Sequence, residues 1–128
     1  MLSWHGICAV FIGGGLGALA RAYISLHNVP NATSFYGIHL GTLWANYLGC
    51  FGLALALQVV PVQSIWRMAI CTGFMGGLTT FSTLSYENFD QLQTHGLLMG
   101  LLHLCLHYIG GMIWIFLGFY LGTWIVSR

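Results

Sequence analysis

Lysine is absent from the 128 residues, and Arg21, Arg67 and Arg128 are the only fixed positive charges. Acids are equally scarce, with Glu87 and Asp90 alone. Charged residues make up 4% of the chain, against roughly 25% in a soluble domain. Water does not solvate a surface built from this set. The shortage excludes a soluble globular protein and a disordered chain. It also excludes a nucleic-acid binder, whose footprint is a basic patch. Little charge is left for general acid–base chemistry, so the sequence does not read as an enzyme. With 58% hydrophobic residues, the solvent that suits this chain is a lipid bilayer.

Two further absences shape the reading. Met1 to Gly6 hold no Lys or Arg, so the apolar stretch Ile7–Ala20 lacks the positive flank of a signal peptide and is expected to stay as a span. No CxxC spacing joins Cys8, Cys50, Cys71 and Cys105, each of which lies in a different apolar segment. They read as small buried residues without a metal or redox role. Asn31-Ala32-Thr33 fits a glycosylation sequon, a three-residue pattern common by chance.

What the chain does have is apolar length. A spanning helix needs about 20 largely apolar residues, and four stretches qualify: near Ser3–Leu26, Ile38–Val60 ended by Pro61, Ile65–Phe89, and Leu97–Val126, long enough to tilt. The segments between them are short polar turns: His27–Gly37 with Pro30 and Asn31, Pro61–Ser64, and Asp90–Gly96. Residues 1–128 therefore read as one domain, an all-α membrane protein of four transmembrane helices. The third stretch contains adjacent Gly76 and Gly77 followed by Thr79, Thr80, Ser82 and Thr83. Two glycines and four hydroxyls in mid-span predict a broken helix, and such breaks survive only inside protein or beside a polar cavity.

Small-xxx-small pairs occur at Gly13/Gly17, Gly37/Gly41, Gly73/Gly77 and Gly118/Gly122. They predict close helix contacts, and their number on so short a chain suggests an oligomer. Gly13-Gly14-Gly15-Leu16-Gly17-Ala18 also matches a nucleotide-binding pattern, accidentally, since no strand precedes it and no acid follows near 20 positions on. With four spans, Arg67 and Arg128 fall on one side and Arg21 toward the other, so the arginine bias is nearly nil. Insertion in both orientations then permits an antiparallel homodimer.

Few side chains carry chemistry. Asn46 sits mid-span, where an unpaired amide is expensive. It reads equally as an interhelical hydrogen bond and as a donor to an anion. Arg21 is read as a snorkelling anchor or a buried group. His103 and His107 share a helix face at i, i+4, but no carboxylate accompanies them there, so a polar track is favoured over a metal site. Glu87 and Asp90 are placed near an interface.

Taken together, Gly13-Gly14-Gly15-Leu16-Gly17-Ala18…Arg21, Gly41-Thr42-Leu43…Asn46…Gly49 and Gly73-Phe74-Met75-Gly76-Gly77-Leu78-Thr79-Thr80-Phe81-Ser82-Thr83 closely resemble the small fluoride channels of the Fluc/CrcB family, in order and over nearly the whole chain. The resemblance implies a dual-topology antiparallel homodimer with two fluoride pores, passively exporting fluoride across the cytoplasmic (inner) membrane. It implies a central structural sodium ion held by the carbonyls of Gly76 and Thr79. Asn46 matches the pore asparagine and Phe81 the first pore phenylalanine. Thr42, Thr80 and Ser82 fall at polar motif positions, Arg21 and Glu87 match structural or vestibule residues, and His103 falls where a polar pore residue often stands. The expected partners are fluoride, a second copy of the chain and the bilayer.

Two departures stand out. The second pore phenylalanine is Leu84, and the usual Gly-Ser of the fourth helix is Gly110-Gly111. A small proton-coupled multidrug transporter is the main alternative, disfavoured because it needs a mid-membrane carboxylate. A haem-binding or structural membrane subunit is the third.

Overall fold

The computed structural model describes residues 3–27 and 38–128. The expected turn around Pro30, the sequon Asn31-Ala32-Thr33 and Gly37 of the Gly37/Gly41 pair lie outside the described residues. The elements are α1 (Trp4–His27), α2 (Leu40–Val59), α3 (Ile65–Arg67), a π-helix (Met68–Met75), α4 (Gly76–Leu78), α5 (Phe81–His95) and α6 (Leu97–Val126). Among the described residues, three helices are long and apolar enough to cross a membrane: Trp4–Leu26, Leu40–Val59 and Leu97–Val126. The third expected span is divided into short pieces, α3 through α5.

Local chemistry sets these boundaries. Pro61 cannot continue α2, whose final turn closes with the Val60 N–H on the Ala56 carbonyl. The Ser64 hydroxyl accepts from the Trp66 N–H at 3.2 Å and caps α3. Gly96 adopts φ +83°, a left-handed conformation that suits glycine, and so ends α5 and starts α6. The break in the third stretch falls at Thr79 and Thr80, both extended at ψ 156° and 116°. Gly76 and Gly77, expected to help cause it, are helical.

The bundle buries small residues and turns large ones outward, as lipid allows. Ala45 is fully buried, while Phe11 is 81% exposed and Leu19 68%. Helix association then depends on close backbone packing rather than apolar burial. α1 lies against the π-helix and α4. A Cβ at Gly13 would sit 2.1 Å from the Ala69 carbonyl oxygen, and one at Gly17 2.1 Å from that of Phe74. Facing them, a Cβ at Gly77 would sit 2.3 Å from the Gly14 carbonyl oxygen. α2 lies against α6, where Tyr47 stacks on Trp114 and its hydroxyl donates to the Leu106 carbonyl at 2.8 Å. Gly118 meets the backbone of α2 in the same way, at the Phe51 carbonyl.

These contacts correct two expectations. The pairs Gly13/Gly17, Gly73/Gly77 and Gly118/Gly122 are used within one chain, so they carry no argument for an oligomer. The cysteines are not uniformly buried: Cys8 and Cys105 are exposed on the outer face, and Cys50 and Cys71 are half-buried. The arginines are engaged rather than free. The Arg67 guanidinium donates to the Val60 carbonyl at 2.9 Å, and that of Arg128 lies 3.9 Å from the centre of the Trp124 ring.

Gly17→Val is expected to lower stability by about 1–3 kcal/mol, the range for overpacking a tight contact. Gly15→Ala has open space around it and should be neutral. Thermal unfolding of both variants in one detergent checks the contrast.

Candidate functional site

The break between α4 and α5 is pinned by one side chain from α2. The Asn46 Oδ1 accepts from the Thr80 N–H at 2.8 Å, and its Nδ2 donates to the Thr80 carbonyl at 3.3 Å. A carboxamide matches a peptide unit donor for acceptor, so Asn46 replaces bonds that the helix gives up here. The N–H that would close the next helical bond onto Gly76, that of Thr80, is turned away to Asn46. On the other side of the break, the Arg21 Nη1 donates to the Thr79 carbonyl at 3.1 Å. Half-buried, it is tied to the backbone at the break and is not a loose interfacial anchor.

Hydroxyls complete the restart of the helix. The Thr80 Oγ1 accepts from the Thr83 N–H at 3.3 Å as the cap of α5. It also donates to the Thr83 Oγ1 at 2.9 Å and lies 3.4 Å from the Ser82 Oγ. The Thr79 Oγ1 bonds back to the Met75 carbonyl at 3.0 Å. Phe81, the first residue of α5, is 82% exposed. A cleft of about 550 Å³ opens beside the break, and Asn46, Gly76, Thr79, Phe81, Leu84 and His107 are among its lining residues.

A second polar cluster lies further along. Thr42 does not join the break; its hydroxyl donates to the Glu87 Oε1 at 2.5 Å. The Glu87 Oε2 faces the His103 Nε2 at 4.0 Å. The His103 and His107 ring centres are 4.6 Å apart, and the His103 Nδ1 lies 3.3 Å from the Asn88 Oδ1. Glu87, His103 and His107 are all buried, at 7%, 1% and 6% exposure. The expectation that no carboxylate accompanies the two histidines is therefore corrected. α5 packs on α6 and brings Glu87 to them from a position 16 residues before His103, which helical spacing within α6 does not reveal. Glu87 accordingly sits inside the bundle, whereas Asp90 is exposed.

Residues 8–119 match the family described as CrcB-like protein, Camphor Resistance (CrcB). A protein of Serratia proteamaculans named fluoride-specific ion channel FluC is 42% identical over 124 residues, covering 93% of this chain and 94% of the relative. A Klebsiella pneumoniae protein of the same name is 36% identical over 126 residues, covering 95% and 97%. One from Escherichia coli O17:K52:H18 is 40% identical over 119 residues, covering 90% and 91%. The chain belongs to the CrcB family.

Within this CrcB chain the expected site residues separate into two groups. Asn46, Thr79, Thr80, Phe81, Ser82, Gly76 and Arg21 gather at the break; Thr42, Glu87 and His103 gather in the second cluster. Thr83, Asn88 and His107 complete these groups. Thr83 stood in the motif, and His107 shares a helix face with His103, so both had a signal; Asn88 had none. In the Gly110-Gly111 pair, Gly110, which matches the usual glycine, has a steric reason, since a Cβ there would lie 2.0 Å from the Tyr47 hydroxyl; Gly111 is the departure. At Gly111 a Cβ would meet the Cys50 sulfur at 3.5 Å, an ordinary contact, so the structure does not require glycine there.

Asn46→Ala leaves the Thr80 N–H and carbonyl without their partner. A loss of about 1–3 kcal/mol is expected, the cost of an unsatisfied buried group. A denaturation midpoint compared with Ser82→Ala, whose hydroxyl is exposed, measures it.

Proposed function

We propose that this chain is a fluoride-selective channel, not an enzyme, and that fluoride passes the break between α4 and α5. The observation that carries the proposal is Asn46 bonded to Thr80 beside Phe81 in an open cleft, in a chain whose relatives are named as fluoride-specific channels. Fluoride holds its water strongly, so a pore must offer oriented donors in exchange. The Asn46 amide has two N–H donors, of which Thr80 takes one. The Ser82 hydroxyl stands close by, 3.4 Å from that of Thr80, whose own proton goes to Thr83, and aromatic ring edges such as that of Phe81 carry positive charge toward an anion. None of these is a fixed cation that would trap the ion. Thr42, Glu87 and His103 extend the polar groups along the same bundle, and Leu84 lines the cleft where a second aromatic edge is expected.

The third stretch, α3 to α5, makes a fourth crossing in this proposal, and the functional unit is an antiparallel homodimer in the inner membrane. The open cleft, the exposed Phe81 and the near absence of arginine bias support a second copy closing the path. A sodium ion suits the same place. Carbonyl oxygens released from helical bonding are ligands for a hard cation, and Gly76 loses its next amide partner to Asn46. The Thr79 carbonyl gives one lone pair to Arg21 and retains another. Gly76 and Thr79 of each copy would hold the ion, which would supply positive charge to offset the anion in a low-dielectric core.

Liposomes containing only this protein should release fluoride and retain chloride. Asn46→Ala and Phe81→Ile should each slow fluoride efflux at least about tenfold, equivalent to about 1.4 kcal/mol of barrier. Unchanged flux in both variants overturns the pore lining. Leu84→Phe should alter the rate, with Leu84→Ile as the control. A C-terminal tag should be reachable from both membrane faces; labelling from one face only rejects dual topology.

A further inference from the structure

The second polar cluster is more than a continuation of the pore. Four side-chain atoms in it are buried without any hydrogen-bond partner: Glu87 Oε2, His103 Nε2, and both ring nitrogens of His107. Leaving such groups unsatisfied is expensive. Each of the three residues offers one ligand atom, and these lie within 4.8 Å of one another. We propose that Glu87, His103 and His107 bind a divalent transition-metal ion of the zinc class.

The donor set selects the ion. Two imidazole nitrogens and one carboxylate oxygen suit zinc and its first-row neighbours, whereas calcium and magnesium take oxygens. Neighbouring ligand atoms in a tetrahedral zinc site stand about 3.3 Å apart, given bonds of about 2.0–2.1 Å. The 4.0 Å between Glu87 Oε2 and His103 Nε2 is close to that spacing, and small side-chain rotations complete the closure. A proton shared by Glu87 and His103 would leave both His107 nitrogens unpaired; a metal ion engages all three residues.

The surroundings orient two of the three ligands, Glu87 and His103, as metal sites require. Thr42 donates to the Glu87 Oε1, which aims Oε2 at the histidines. The Asn88 Oδ1 accepts from the His103 Nδ1, so the Nε2 lone pair points inward. Three protein ligands leave a fourth position open. His107 also lines the cleft that holds Asn46 and Phe81. On the channel reading above, an ion here adds a divalent charge with an open coordination position beside the path, where it takes fluoride as a ligand and holds it instead of passing it. Bound metal therefore slows flux.

The binding test is independent of conduction. The full chain, purified in detergent and stripped of metal, is titrated with Co²⁺ and read by its visible absorption, then challenged with Zn²⁺. One tight site per chain is expected, with Zn²⁺ displacing Co²⁺. Glu87→Gln, which keeps its size and its Thr42 hydrogen bond, should weaken Co²⁺ at least about tenfold, as should His107→Gln. His5→Ala and His95→Ala should bind as the parent does. No Co²⁺ binding by the parent, or equal binding by Glu87→Gln, overturns the site. In liposomes, Zn²⁺ should slow fluoride efflux from the parent and not from His107→Gln. Binding without slowing leaves the metal site standing and overturns its effect on the path. A parent that binds Co²⁺ yet passes no fluoride refutes the channel reading alone.

Discussion

The pairing of Asn46 with the Thr80 peptide unit is the contact on which the polar interior rests. A helix interrupted in an apolar medium strands backbone donors and acceptors, each costing several kcal/mol when unsatisfied. Asn46 supplies a donor and an acceptor to the same residue, and Arg21 takes the Thr79 carbonyl from the opposite side. With those groups satisfied, α4 can end, α5 can begin in a new direction, and Phe81 can stand at the opening. The same bend points α5 so that Glu87 reaches the histidines of α6. Both polar clusters thus depend on a carboxamide from α2.

Support for that bend comes from the closeness of α1. A π-helix is rare and is found mostly near functional sites. Here it presents the Ala69 and Phe74 carbonyls to a glycine face of α1, where any side chain would collide. Backbone against backbone holds the segment leading into the break. The break is therefore braced by α1 before it and by α2 at it.

Much of this was legible from residue order. Three of the four expected spans followed from apolar length, the end of α2 from Pro61, and the break from the hydroxyl-rich run after Gly77, whereas the turn expected over Asp90–Gly96 is helical through His95. The cause of the break was less legible. The glycines remain helical and the two threonines do the bending; their partners, Asn46 for Thr80 and Arg21 for Thr79, lie more than thirty positions earlier, and distance in sequence hides the pairing. Glu87 shows the same limit. Its helix reads as an interfacial end by composition, and only the packing of α5 on α6 turns its carboxylate inward. The small-residue pairs foretold the close approaches that the fold makes, but their spacing does not report whether the neighbour belongs to the same chain.

The three arginines have a consequence for biogenesis. Insertion machinery weighs positive charge near segment ends while a nascent chain is still unfolded. At that stage Arg21, Arg67 and Arg128 are ordinary hydrated cations. In the finished fold, two of them donate to carbonyls of their own chain and the third rests on a tryptophan. The charges that bear on direction are thus nearly balanced at insertion, and in the finished fold Arg21 and Arg67 are half-buried while Arg128 stays exposed. Arg21 cannot return to an interface as a hydrated cation without leaving the Thr79 carbonyl at the break that organises the interior.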